Sequence, residues 1–448
     1  MKVAVIGAGI IGVTTAYELS ADGHRVSVFE RRGSVAAETS FANAGVIAPG
    51  YVTPWAAPGM PAKVLGHLLS RHAPVRVRAG FPPGTVAWLW QWWRACRLRT
   101  YQANRLRMQR LAGYSRDRLH ELTQHLKLDY ERADGYLVLL RSPKEQAMAQ
   151  AGLDSLTELG TRFALLDAAQ CRVVEPGLSA DTPLHAGIHL PDDEVGNCRE
   201  FAHLLRREAQ RLGARFRFHT TVDRLIPGPH PQLVHTHTPP DEASLASGLG
   251  EATKHELYDT RPMALMPVTE GFDAVVVCAA LGAPGLLRPH ALKLPLQAVH
   301  GYSLTAPLRL RESHDDIGPR SALMDERYKV AISRMGSRVR VAGSAEIGGS
   351  LEHHDEAALQ TLHKVLHDWF PGAARTSLAQ VWKGARPMLP DGPPVLGASG
   401  IAGVWLNLGH GSSGWALACG SARLLADVVA GRPPAIDTDG LGIERLRF

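Results

Sequence analysis

Nowhere do the 448 residues offer the roughly 18 to 20 consecutive apolar positions that cross a bilayer, so no spanning helix is expected. The N-terminus lacks a charged leader and apolar signal core; it opens on MKVAVIGAG, and the expectation is a cytoplasmic chain. Cysteine is scarce. The five residues, Cys96, Cys171, Cys198, Cys278 and Cys419, are far apart and form no CxxC pair, which argues against a disulfide framework and a zinc site and reads as reduced thiols. His230, His235 and His237 lie close together, but no Asp, Glu or Cys falls at a convincing ligand spacing, so no metal is expected. A serine-nucleophile elbow is also missing. In GHGSSGW the pattern G-x-S-x-G fails at His410 around Ser412 and at Trp415 around Ser413. No internal repeat is apparent.

What is present suits a globular protein of two domains, one or both discontinuous, with 45% hydrophobic residues. The strand-like KVAVIGAG, the helical apolar spacing over residues 10–20 and the buried run HRVSVFE together predict a β-α-β unit that opens a doubly wound sheet. Its glycines spell GxGxxG at Gly7, Gly9 and Gly12, and Glu30 closes the second strand eighteen residues after Gly12. Gly7 permits the tight turn, Gly9 admits a pyrophosphate to the helix N-terminus with Ile10 and Ile11, and Gly12 allows close helix–strand packing. The Glu30 carboxylate suits ribose hydroxyls. A dinucleotide site follows, with FAD and NAD both compatible. Arg31 and Arg32 fit either a 2′-phosphate or plain solvation.

The chain leaves this unit through the Pro- and Gly-rich stretch 53–80, and residues 85–127 read as mainly helical. Later runs, among them GYLVLL, LHAGIHL, ARFRFHT, VHGYSLTAPL, YKVAIS and RVRVAGS, alternate apolar and polar residues and predict an antiparallel sheet with one wet face. Residues 227–271, rich in Pro and Gly, read as an insertion or a long surface loop. The net charge of +6 is unevenly placed: residues 63–118 hold twelve Lys and Arg, Arg71 among them, against the one acid Asp117, beside Trp88, Trp90, Trp92 and Trp93. Two readings stand: a solvated basic helix whose tryptophans are core, or peripheral contact with an anionic membrane. Near the C-terminus, Trp415, Ala418, Ala422, Leu425 and Val429 recur at helical spacing until Gly431 and Pro433, which makes GHGSSGW the first turn of a helix.

Beyond the glycine motif lie ETSFANAG, PGYVTPWAAPG, DAVVVCAALGA, GYSLT, MDERYKVAISR, WKGARPMLPDG and GHGSSGW. With these motifs in this order the sequence resembles the FAD-dependent D-amino-acid dehydrogenases, in the wider group of D-amino-acid oxidase, glycine oxidase and sarcosine oxidase. The resemblance covers nearly the whole chain. It implies an α/β FAD-binding Rossmann-like domain, discontinuous over 1–55, 165–290 and 385–448 with the insertion 227–271, and an α+β substrate domain over 56–164 and 291–384 built on an antiparallel sheet. Implied FAD contacts are Ser40, Asn43, Ala44, Gly45 and Val46 along the flavin, Val222 at adenine, and Ala280 and Gly282 near the pyrophosphate, with Arg31 beside Glu30. Gly409, His410, Gly411, Ser412 and Gly414 would face the pyrimidine edge, where a helix N-terminus stabilises negative charge. Tethered relatives carry a His or Cys where this chain has Ala42 and Met388, so FAD is expected to be noncovalent.

The same resemblance implies that Arg386 pairs with a substrate carboxylate through two parallel hydrogen bonds. Tyr51, Tyr302 and Tyr328 are candidates to line that pocket, each fitting ordinary packing as well. The implied activity is oxidative deamination of a D-amino acid with no side chain as acid or base, the electrons passing to a quinone or respiratory carrier. An oxygen-using amino- or imino-acid oxidase of the D-hydroxyproline, glycine or sarcosine type is the alternative. A flavoprotein acting on RNA is remote, because no stacking aromatics interleave with a basic domain. Val46, Ala48, His300 and Ser413 depart from the family pattern and leave the substrate side chain open.

Overall fold

The run KVAVI is buried along almost its whole length, and it forms β1 (Lys2–Ile6), inside a sheet covered on both faces. The computed structural model describes residues 1–67, 72–78, 83–158, 160–239, 266–309 and 317–446. Arg71 and residues 240–265 of the expected insertion lie outside these. β1 belongs to a six-stranded sheet ordered β18 (Val395–Ala398), β19 (Val404–Leu408), β12 (Ala274–Val277), β1, β2 (Arg25–Phe29), β8 (Arg215–Arg217). All its pairings are parallel except β18 with β19. On one face Val3 and Val5 pack with helices α1 (Ile10–Ala21), α4 (Leu98–Leu126), α7 (Cys198–Arg211) and α10 (Gly414–Val429), through Val13, Leu111, Leu205 and Leu417. Ala4 and Ile6 face the other way, toward Leu225 and Leu233.

Those two leucines belong to a three-stranded antiparallel sheet of β9 (Thr220–Ile226), β10 (Gln232–His237) and β11 (Val268–Gly271). The stretch read as an insertion or loop thus contributes two strands. Its prolines and glycines masked the alternation in QLVHTH, where Leu233 enters the core and Gln232 and His237 stay exposed.

A ten-stranded sheet forms the second layer system. Its order is β17 (Gln380–Met388), β13 (Gln297–Pro307), β16 (Arg338–Ile347), β15 (Val330–Met335), β14 (Ala322–Asp325), β5 (Ala133–Leu140), β7 (Ala186–Val195), β3 (Val46–Ile47), with β4 (Val75–Val77) beside β16 and β6 (Ala164–Asp167) beside β7. It is antiparallel apart from β14–β5 and β16–β4. The expected wet face is absent over its centre. Leu304, Ile332 and Val341 pack under α9 (Glu356–Trp369), while Tyr136, Val138 and Ile188 on the opposite face pack with α5 (Pro143–Glu158). A helix covers each side, so alternation within these strands sorts residues between two cores. β7, within the segment 165–290 expected in the dinucleotide unit, lies in this sheet, and α4, within 56–164, packs on the dinucleotide side.

The remaining α-helices among the described residues are α2 (Met60–His67), α3 (Pro83–Ala95), α6 (Ala168–Val174) and α8 (Ala283–Leu287). In α3, Trp88 and Trp92 are core residues beside Val299 and Ile347, whereas Trp90 and Trp93 are 52% and 57% exposed. The reading of these tryptophans as core thus holds for Trp88 and Trp92 and not for Trp90 and Trp93. All five cysteines are free and buried. Among the described residues no helix is long and apolar enough to cross a membrane.

Candidate functional site

The β1–α1 turn closes as its glycines demand. A Cβ on Gly12 would overlap the Gly7 carbonyl oxygen, and one on Gly7 would lie 2.8 Å from the Cys278 carbonyl oxygen, so strand, turn and helix meet without side chains. Glu30 accepts the Ala8 N–H at 2.7 Å and the Arg32 N–H at 2.8 Å. Burial pushes its carboxyl up and those two bonds pull it down. Each oxygen retains capacity to accept a further hydrogen bond. The first-turn N–H groups at Ile11 and Gly12 have no intrahelical acceptor, which suits an anion.

Neighbouring elements line up along this turn. The Thr220 N–H donates to the Glu30 carbonyl, which brings β9 and half-buried Val222 to the end of β2. Ala280 and Gly282 form a short turn after β12, with Ala280 at a φ of 46°. Arg31 and Arg32 both donate to Glu38, so the 2′-phosphate reading finds these guanidiniums engaged with a carboxylate.

Residues 38–46 cross from the six-stranded to the ten-stranded sheet, stitched at successive positions. Ser40 Oγ accepts the Ile10 N–H at 3.1 Å, and Thr39 Oγ1 donates to the Ala385 carbonyl at 2.7 Å. Asn43 Oδ1 accepts the Gly45 N–H, while the Asn43 carbonyl accepts from Arg340 Nη1 at 3.1 Å. The Gly45 carbonyl accepts the Trp415 indole N–H at 3.2 Å, and Val46 pairs with β7. Half-buried Ala44 lies between these ties. The loop is thus tied to both sheets at successive positions.

Gly409 and Gly411, at φ of 79° and 56°, turn the chain from β19 into the start of α10, conformations that favour glycine. A bridge between His410 and Met388 joins this turn to β17. One expectation changes here. The His410 ring points into the core, its Nε2 3.0 Å from Ser421 Oγ, and burial pushes it down to about 3, so it is a neutral packing group and only its backbone faces outward. Ser412 is exposed and Gly414 begins α10.

Arg386 projects from β17 across Gly301, where a Cβ would collide with its Nη2. Nη1 donates to the Ser344 carbonyl at 2.9 Å. That carbonyl is turned inward because β16 bulges against residues 300–302, with Ser344 at a φ of 59°. Among the described residues no carboxylate pairs with Arg386, and burial pushes its guanidinium down to about 10. An unpaired, desolvated fork is poised for an incoming carboxylate.

The three tyrosines separate. Tyr302 lies opposite Lys383, and Lys383 and Arg386 are an odd number of residues apart on β17, so Tyr302 faces away from Arg386. Its hydroxyl donates to Glu346 at 2.6 Å in the core under α9. Tyr328 is on that side too, against Arg141 and His72. Neither reaches the guanidinium's face. His300, buried with Nδ1 3.0 Å from the Gly348 carbonyl oxygen, is neither a surface group nor in the Arg386 row. Tyr51 is on the opposite side, edge-on to Tyr136, and donates to Glu326 at 2.6 Å; burial, then Glu326, pushes its phenol up. Ala48 packs in the same cluster.

Ser303 and Ser333 were not foreseen. Register places them on the strand face that carries Trp382 and Arg340, and their buried hydroxyls have no hydrogen-bond partner among the described residues. Orphaned polar groups on a covered face suit a ligand that completes them. The signal for Arg340 was available: in RVRVAGS the charged positions share one side of an otherwise buried strand.

The family described as FAD dependent oxidoreductase matches residues 2–428. The chain is 42% identical to the D-amino acid dehydrogenase of Rhizorhabdus wittichii over 447 residues, covering 99% of this chain and 100% of that one. It is 42% identical to that of Cereibacter sphaeroides over 448 residues, covering 99% and 95%. Among solved structures, glycine oxidase from Geobacillus kaustophilus superposes with a TM-score of 0.71 at 18% identity, covering 98% and 97%, a likeness of fold.

Proposed function

The chain belongs to the family of FAD-dependent oxidoreductases, and on that premise we propose that it is a D-amino-acid dehydrogenase. A hydride leaves the substrate α-carbon, and the resulting imino acid takes up water to give a 2-oxo acid and ammonia. The glycine turn, the Glu30 carboxylate and the glycine-lined approach at residues 409–414 fit FAD. When bound, FAD supplies the two-electron acceptor for the hydride. Ala42 and Met388 offer no tethering nucleophile, so the cofactor is held without a covalent bond.

Arg386 carries the reading. Its two parallel N–H donors hold the substrate carboxylate and so fix which face of the α-carbon is presented. Tyr51, kept as a phenol by burial and by Glu326, bounds the pocket rather than accepting a proton. Backbone N–H groups at the start of α10 favour negative charge at the reacting end of the cofactor. Side-chain acid–base groups are not required, because a neutral substrate amine assists hydride departure. The six-stranded sheet with α1, α4, α7 and α10 serves the cofactor and the ten-stranded sheet the substrate.

For the electrons we propose a quinone or respiratory carrier, with peripheral membrane contact within residues 63–118. What supports the contact is narrower than the whole basic segment. Arg107, Arg110 and Arg118 pair with Asp439, Asp437 and Glu18, whereas Val86, Trp90, Trp93 and Leu98 are exposed beside Arg97 and Arg99. Mixing the yellow holoenzyme under nitrogen with D- and L-amino acids tests the function. Bleaching of the flavin by D-amino acids alone is expected; bleaching by neither series overturns the proposal. Peroxide formed in air in step with substrate loss would make the enzyme an oxidase.

A further inference from the structure

Thirteen ångströms or so along β17 from Arg386, four residues at about 3.3 Å each, a cavity of about 600 Å³ opens between the 41–42 stretch, the start of α7 and the ends of β13, β16 and β17. Four arginines line it, Arg199, Arg207, Arg338 and Arg340, and the single acid among the lining residues is Glu200. We propose that this cavity is a second ligand site, for an oxyanion carried on a flat ring, separate from the substrate carboxylate site.

Three observations carry it. Arg340 is 6% exposed and donates to neutral oxygens, Thr305 Oγ1 at 3.0 Å and the Asn43 carbonyl. Glu131, an acid that acts on it, is engaged by Arg338, so Arg340 keeps an uncompensated charge among the described residues. The Arg199 guanidinium lies 4.2 Å from the centre of the Phe41 ring, and its buried Nε has no hydrogen-bond partner among the described residues. Phe41 in turn stacks on Trp382, their planes 26° apart, which gives a flat apolar wall beside the forked donors. Guanidinium forks select carboxylate, sulfonate or phosphate, aromatic walls select a planar ring, and the volume is that of a small-molecule site. Because Arg340 also holds the Asn43 carbonyl, an anion here acts on the loop proposed to run along the flavin.

The inference rests on the flavin reading only for that last link. Calorimetric titration of naphthalene-1-sulfonate into the holoenzyme tests the site directly. One strong site is expected, weakened about tenfold or more in Arg199→Ala/Arg207→Ala as two charge-assisted contacts are removed, and retained in Arg386→Lys. Equal binding by the double variant, loss of binding in Arg386→Lys, or no binding by the native enzyme would each overturn it. A perturbed flavin absorbance on binding is expected of the native enzyme. Failure of D-amino acids to bleach the flavin would remove the proposed function and leave this titration intact.

Discussion

Arg386 shows how a residue's role depends on what is missing around it. Its neighbours among the described residues supply one carbonyl and a glycine, and no acid, so its charge is left for a ligand. Arg386→Ala should lower kcat/KM by about 2 to 4 kcal/mol with flavin content unchanged, the usual effect of losing a charged bidentate contact. Gly301→Ala should do similar damage without touching the arginine, since the added methyl displaces Nη2. Native kinetics in Gly301→Ala would show that the guanidinium works from another position. His410 makes a second residue-scale case. Burial pushes it from 6.5 to about 3, while in the unfolded chain it protonates near 6.5. Between those values the unfolded state binds more protons, so this group's contribution to stability falls as pH drops, by up to about 1.4 kcal/mol per pH unit. Asp193 and Glu175, each pushed up to about 7 by burial, act with the opposite sign at weakly acidic pH. Urea midpoints of native and His410→Gln proteins, compared at each pH, isolate the histidine: the gap between them should narrow as pH falls from about 6.5 to 5. A constant gap would place a charged or exposed imidazole in the folded protein.

At the scale of elements, α3 divides its tryptophans between a core and the surface. Trp88 donates its indole N–H to the Met388 carbonyl at 3.1 Å, which fastens the helix over the Arg386 end of β17. Trp90 and Trp93 cannot be serving that core. Trp90→Ser/Trp93→Ser is therefore expected to keep kcat/KM with a soluble dye and to lose binding to anionic phospholipid vesicles in a flotation assay. Undiminished flotation would move the contact elsewhere. The helix was legible in the sequence and its division was not, because WLWQWW fits both a buried and an exposed face. Likewise the β1–α1 turn was legible because each glycine has a steric reason, whereas QLVHTH was obscured by its surroundings.

Across the whole molecule, the six-stranded and ten-stranded sheets are joined by the 38–46 loop and by α4, so a ligand that lies along the loop should stabilise both. Reconstituted holoenzyme ought to melt above the apoprotein in one transition, by about 2.7 kcal/mol at a free cofactor level of a hundred times Kd. Two separate transitions in the apoprotein, with only one responding to FAD, would contradict that coupling. The sequence by itself determined the β1–α1 turn and the turn into α10. GxGxxG with Glu30, and glycines before a helix, act through the backbone within a few residues, where local geometry leaves few options. Tertiary structure alone decided which side chains share the cleft. Alternation along VHGYSLT separates Gly301 from Tyr302 but does not say which face a helix will cover, and a bulge at Ser344 aims the carbonyl that orients Arg386. Faces of a doubly covered sheet are assigned by packing partners distant in sequence, so the strands could be read in advance and the faces taken by Tyr51 and Tyr302 could not.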